Sequence, residues 1–284
     1  MKIIISHDVD HITVLEHTRD LIIPKFIVRN SINFITNNIS TKEYIKRYKD
    51  LNPIKNKWNN LEELILFDKR NAIPSTFFIA VNKGRGLSYS IEDSKLWIER
   101  MLKGGFKIGL HGISFNSCKE VEQEYRIFKG IIGKNKRIGI RIHDIAPVGR
   151  KGLHLEKKFL DYISVSGYNY DSSFFAENVP HHFKYKSIYE FPIHIMDGNL
   201  ISNGSIFERY NSLNEIINET KNILDKAIKT NTEYFVVLFH DRYFNESYKL
   251  LYEWYLWLIY YLKNNNFEFT TFDDAVNSLD NKGK

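Results

Sequence analysis

Ile3-Ile4-Ile5-Ser6-His7-Asp8-Val9-Asp10 opens on three β-branched residues, a run too short for a helix, and ends in two carboxylates. It reads as a buried strand, in which successive side chains alternate faces, so Asp8 and Asp10 point the same way. Two like charges in one small space are unfavourable unless a cation or a proton separates their roles, one carboxylate binding a metal and the other acting as a base. His7 and His11 flank the pair and favour the metal reading. The plainer reading of the stretch on its own is a strand followed by an Asp-rich turn.

The same pattern, an apolar run ending in polar residues, recurs down the chain. Residues 73–80 read as a second strand, 106–110 as a third that delivers His111, and 137–140 as a lead into Arg141-Ile142-His143. Residues 167–173 repeat the pattern, 188–196 end at Asp197, and 234–239, the clearest buried strand, end at His240-Asp241. Helical spacing separates these runs over 61–67, 91–102 (stopping at Gly104-Gly105), 121–132, 213–228 and 248–263, and 267–272 closes the series as a strand. This alternation predicts a mostly parallel sheet with helical crossovers, closed into a barrel or doubly wound. In either, the working face lies at the C-terminal ends of the strands, where Asp8, Asp10, His111, Arg141, His143, Asp171, Asp197 and His240 all fall. One domain over 1–284 is expected. Residues 14–60, with helix-like patches broken by Pro24 and Pro53, form an insertion after the first strand.

Composition narrows the function. With 284 residues and 43% hydrophobic content the chain can bury a large core. The formal charge of +6 comes from scattered lysines rather than a basic run, which argues against a nucleic-acid protein. The single cysteine, Cys118, excludes an internal disulfide and any cysteine-cluster metal site. The passage from Met1-Lys2 into an apolar run interrupted by aspartates lacks the form of a signal peptide, so the expected location is the cytoplasm. Residues 250–262 are aromatic and apolar but too short to span a bilayer and contain Glu253; a buried helix is expected, with contact at the inner-membrane surface as the alternative.

The order Ser6-His7-Asp8-Val9-Asp10, Ser75-Thr76-Phe77-Phe78, Ile108-Gly109-Leu110-His111-Gly112, Arg141-Ile142-His143, Tyr170-Asp171-Ser172-Ser173 and Leu238-Phe239-His240 resembles the polysaccharide deacetylases with a NodB homology domain. It looks closest to the branch with a His-Asp-Val-Asp opening, the WbmS-like proteins of O-antigen and other surface-polysaccharide loci. The resemblance implies an irregular parallel (β/α) barrel of about seven repeats and a divalent-metal hydrolase that removes an N- or O-acyl group, an amide in preference to an ester, from a sugar. It implies Asp8 as catalytic base, Asp10 and His111 as metal ligands, His240 as the acid that protonates the leaving group, and Arg141 as the residue that holds Asp8.

One position departs from the pattern. The family's second histidine, four residues after the first, is here Phe115, which cannot bind a metal. Nearby Ser114, Asn116 and Ser117 offer only neutral oxygens, poor substitutes for imidazole on zinc. His143, two residues after Arg141 and on its face of a strand, is the preferred third ligand. Asp10, His111 and His143 would then leave room for water on one ion, zinc first, with cobalt, manganese or nickel also suitable. Asp171 and Asp197 are both candidates to orient His240. The substrate expected is an acylated sugar or glycan, free or linked to a nucleotide or lipid. The competing expectation, raised by Phe115, is a degenerate member that binds a glycan or a partner without turnover.

Overall fold

The computed structural model describes residues 1–133, 136–143, 153–177, 180–202 and 212–282. Its centre is β1 (Lys2–Val9), buried from Ile3 onward. Along Lys2–Ser6 it pairs with β9 (Tyr234–Leu238). Its other edge takes β10 (Glu268–Thr270) at Lys2–Ile4 and then β2 (Thr76–Ile79) at Ser6–Val9, all parallel. From β2 the sheet continues in parallel through β3 (Lys107–Gly112), β4 (Gly139–Ile142) and β5 (Tyr170–Asp171) to β7 (Ile188–Glu190). A short β6 (Phe183–Tyr185) pairs antiparallel with β7.

The run expected as one strand over 188–196 is two. Pro192 has no N–H to give a ladder, and the chain changes neighbours there. β7 lies on β5, whereas β8 (Ile193–Met196) lies on β9 with a shift of register after Ile193. The Phe191 N–H still reaches the Asp171 carbonyl (2.9 Å), and the Ile193 N–H the Phe174 carbonyl (2.8 Å). One extended stretch thus joins β5 to β9 and brings the sheet round on itself as an irregular (β/α) barrel.

Helices cover the outside: α1 (Ile22–Ile35), α2 (Thr41–Lys49), α3 (Leu61–Arg70), α4 (Ile91–Lys103), α5 (Cys118–Ile132), α6 (Leu153–Ser166), α7 (Asp197–Ser202), α8 (Leu213–Lys229), α9 (Lys249–Asn264) and α10 (Phe272–Lys282). Ser40, Ser90 and Ser212 cap α2, α4 and α8 in reciprocal boxes with Glu43, Asp93 and Glu215. The strand expected over 267–272 ends at Thr270, and Phe272 already begins α10.

Period-two alternation sorts the strands into two faces. Ile3, Ile5, Val9, Ile108, Leu110, Ile140, Ile142, Phe235, Val237 and Phe239 join the large layer between sheet and helices. Ile4, Phe78, Tyr170, Phe191, Val236 and Leu238 pack inside the barrel with Phe272. Continuing the inward face along each strand puts Ser6, Asp8, Asp10, His111, Arg141, His143 and His240 above this apolar floor.

Gly109 is one of these inward positions, and a Cβ there would overlap the Phe78 ring. Gly109→Ala is therefore expected to lower the urea unfolding free energy by about 1 to 3 kcal/mol through overpacking. Gly130→Ala, in α5 where a Cβ meets nothing within 4 Å, should instead raise it by about 0.5 to 1 kcal/mol.

Candidate active site

Arg141 is fully buried inside the barrel mouth, and four hydrogen bonds fix its guanidinium. Nη1 donates to Ser6 Oγ and Asp8 Oδ1 (2.9 Å each), Nη2 to Ser172 Oγ (2.8 Å) and Nε to the Ser172 carbonyl (2.8 Å). The Phe78 ring lies under it at 4.3 Å. A buried charge is tolerated when paired and fully hydrogen-bonded, and removing one partner of such a pair costs about 3 to 5 kcal/mol. Asp8 is held through Oδ1, while its Oδ2 turns toward His111 Nε2 at 3.8 Å.

Asp10 brings the imidazoles together. Its Oδ1 lies 3.3 Å from His111 Nε2 and 3.4 Å from His143 Nδ1, and those nitrogens are 3.0 Å apart. The far nitrogen of each ring faces a backbone carbonyl, His111 Nδ1 that of Arg141 (3.0 Å) and His143 Nε2 that of Arg85 (3.2 Å). A carbonyl only accepts, so both far nitrogens carry hydrogen and the neutral rings aim lone pairs at one point. Asp10 Oδ1, buried and without a hydrogen-bond donor, aims there too. Something positive must stand between them.

In the chain alone the pull is toward a proton on His143. Burial opposes a charge on His143, but Asp10, Asp8 and the Arg85 carbonyl outweigh it and raise its pKa. Burial likewise opposes the Asp10 carboxylate, which His143, His240 and His111 nevertheless hold well below the usual range. A divalent cation fits the same place: a tetrahedral zinc with bonds of about 2.0 to 2.1 Å keeps its ligand atoms about 3.3 Å apart. Phe115 stays outside this group, stacked under the Arg85 guanidinium at 4.7 Å. Its loop is held by buried Glu124, which accepts from the Ile113 and Ser114 N–H groups and from Asn82.

On the other side of Asp10, Oδ2 faces His240 Nε2 at 3.6 Å. His240 Nδ1 donates to Asp197 Oδ1 (2.8 Å), and the His240 backbone N–H to Asp197 Oδ2 (2.5 Å). Of the two aspartates expected to compete for this role, Asp197 holds His240, because β8 lies beside β9. Asp171 lies in register with Glu190 of β7 and takes a hydrogen bond from Ser173 Oγ (2.5 Å). Burial raises both carboxyls, Asp171 to about 6 and Glu190 well above its usual value, so this pair keeps a proton near Arg141. Asn116 is exposed and outside the converging group.

Two of the flanking histidines do other work. His7 points outward, its ring between the Phe239 carbonyl (2.8 Å) and buried Asp68 (2.9 Å), which also binds Tyr255 and Ser75. His11 meets His17 (Nδ1 to Nε2, 2.9 Å) beside Glu16, a second group of converging ligand types. The Arg242 guanidinium stands beside it, Nη1 donating to His11 Nε2 (3.3 Å), and opposes a further positive charge there. Burial and Arg242 together keep His11 neutral.

No protein-family model matches the chain, and no curated protein matches it. Among solved structures it is similar to a Mycobacterium smegmatis protein described as a "putative polysaccharide deacetylase", with a TM-score of 0.59 and 13% identity, covering 99% of this chain and 90% of that one. The likeness establishes a shared fold, the polysaccharide-deacetylase type of barrel. No helix of the described residues is long and apolar enough to cross a membrane.

Burial opposes protonation of His240, yet Asp197 and Asp10 push the imidazole up to about 10. In chelator-treated protein it should stay protonated through neutral pH. The stabilisation this gives is complete below its ordinary value of 6.5 and lost as pH rises through about 10. Asp197→Asn should bring the titration back down toward 6.5, read by NMR of the ring nitrogens; an unchanged midpoint would show that Asp197 does not set it.

Proposed function

We propose that the chain is a metal-dependent deacylase that removes an N- or O-acyl group, acetyl first, from a sugar intermediate of surface-polysaccharide or O-antigen synthesis. The observation that carries this reading is the convergence of Asp10 Oδ1, His111 Nε2 and His143 Nδ1 within 3.0 to 3.4 Å of one another. Two imidazoles and one carboxylate are a donor set for zinc with an open position. Asp10, His111 and His143 would hold the ion, which when bound supplies polarisation of the acyl carbonyl and a water of lowered pKa.

The remaining steps belong to side chains. Arg141 ties down Asp8 Oδ1 and leaves Oδ2 turned into the site, where it takes the proton of the attacking water. His240, held by Asp197 through Nδ1, presents Nε2–H and gives that proton to the departing sugar nitrogen or oxygen. Acid and base are thus separate groups on opposite sides of Asp10, as acyl transfer needs. The shared fold with a protein described as a polysaccharide deacetylase supports the reaction class, and the His-Asp-Val-Asp opening supports the surface-polysaccharide setting.

The test is acetate release from N-acetylated amino sugars by zinc-loaded protein, with metal content measured by mass spectrometry. Asp8→Asn should cut kcat by about 10²- to 10⁴-fold and keep the metal. His111→Ala and His143→Ala should each lose it. Full activity in Asp8→Asn, or a wild type that takes up no divalent ion, would overturn the proposal.

A further inference from the structure

Of the twelve large apolar side chains that stand exposed among the described residues, seven lie between residues 15 and 54, in the segment inserted after β1. They include a ridge along α1. At about 100° per residue, Leu21, Val28, Ile32 and Ile35 fall on one stripe from the N-cap of the helix to its last residue. Leu21, Val28 and Ile35 are 66%, 58% and 76% exposed, while the other side of the helix buries Phe26, Asn30 and Asn33. An amphipathic helix turns its apolar stripe to the core; here it faces out. α2 packs beside α1, with Tyr44 stacked on Phe34 at 4.5 Å and the Tyr44 and Tyr48 hydroxyls 3.3 and 3.1 Å from Ser31 Oγ. It leaves Lys42, Ile45 and Lys49 exposed.

The charge around this ridge is mostly of one sign. Residues 14–60 hold nine Lys and Arg against four Asp and Glu, a net +5 out of the chain's +6. The four acids bond within the fold: Glu16 accepts from the Ile12 and Thr13 N–H groups, Asp20 from Ser88, Glu43 from Ser40, and buried Asp50 from Asn245. Arg19, Lys25, Lys42, Lys49 and Lys55 are exposed, and α1 itself contains no Asp or Glu. Glu246 and Glu63, from outside the segment, pair with Lys46 and Lys57, and counting them still leaves a net positive face. An exposed apolar stripe of this length marks an interaction surface. A second copy of the chain would set two positive faces against each other. A bilayer meets both features, its acyl boundary covering the ridge and its anionic headgroups meeting lysines whose stems lie along it. α9, the other aromatic and apolar stretch, instead buries Trp254, Tyr255, Leu258 and Ile259 in the fold.

We propose that the outward face of α1 and α2 docks on an anionic membrane surface and so brings the candidate active site to sugars carried on a lipid. The site lies close behind the ridge. A cavity of about 220 Å³ between α1, α2 and the two short 3-10 turns Asp241–Tyr243 and Glu246–Tyr248 is walled in part by Ile22, Phe26, Arg47, His11, Arg242 and Tyr243. His11 follows Asp10 directly, and the Tyr243 ring is 6.0 Å from that of His240. The choice of a lipid-borne sugar rests on the deacylase reading, but docking on a membrane can be measured without turnover.

The experiment is flotation of the full chain with vesicles of phosphatidylcholine alone and of phosphatidylcholine mixed with phosphatidylglycerol. Wild type should float with the mixed vesicles, float poorly with phosphatidylcholine alone, and bind less as salt is raised. Val28→Glu combined with Ile35→Glu should weaken binding about tenfold or more by placing charge on the apolar ridge. Lys25→Gln combined with Lys49→Gln should weaken it about tenfold or more through lost attraction to the headgroups. All four side chains are exposed, and an unchanged melting temperature separates lost docking from lost fold. No flotation of wild type with the mixed vesicles, or equal flotation of both variants, would overturn the assignment. So would a wild-type dimer in sedimentation that the Val28 and Ile35 substitutions break, which would give the ridge to a second copy. Flotation without acetate release from any sugar would leave this surface standing and remove the deacylase reading; acetate release by a chain that never floats would do the reverse.

Discussion

A guanidinium inside a barrel is the constraint on which the upper half of this molecule depends. Arg141 comes from β4, but its bonds end on Ser6 and Asp8 of β1 and on Ser172 after β5, with Phe78 of β2 beneath it. Four strands are therefore locked at one height, and the height is set by a charge that cannot be left unpaired. Below it inside the barrel lie Ile4, Phe78, Val236 and Phe272, and beyond it lie Asp10, His111 and His143. Asp8 can turn its second oxygen into the site because the first is already committed.

The same geometry explains how the chain manages with Phe115. The donor that the usual spacing would place four residues after His111 comes instead from the neighbouring strand, since His143 stands two residues beyond Arg141 and shares its inward face. Arg85 serves both arrangements, its carbonyl fixing the His143 ring and its side chain covering Phe115. In the proposed site the third donor thus comes from a strand end rather than from the loop that holds Phe115.

Much of this was legible in the sequence because strand periodicity is local. Residues 8 and 10, and residues 141 and 143, must share faces once their strands are recognised, and that alone assembles most of the candidate site. The same rule, carried further, would have sent His7 outward to the helices, where it meets Asp68. What could not be read was strand order. Asp171 and Asp197 are equivalent strand-end aspartates until Pro192 is seen to move the chain from β5 to β9, which brings one of them to His240 and leaves the other with Glu190. Nor does any local pattern say that Arg242 and Arg47, 195 positions apart by number, face one cavity; that is a property of where the inserted helices dock.

The pairing of β1 with β9 has a consequence for how the molecule is made. Ser6 bonds to the carbonyl of Val237, 231 residues later, and β10 completes the other edge of β1 only after that. During synthesis the two aspartates are made long before β9, and the strand that bears them stays unpaired along Lys2–Ser6 until residues 234–238 have followed. The central strand is thus made before the neighbours that close it in. A nascent chain stalled before residue 234 presents a naked apolar strand edge to its surroundings, so the burden on the cell's folding machinery lasts from the making of β1 until β9 has followed.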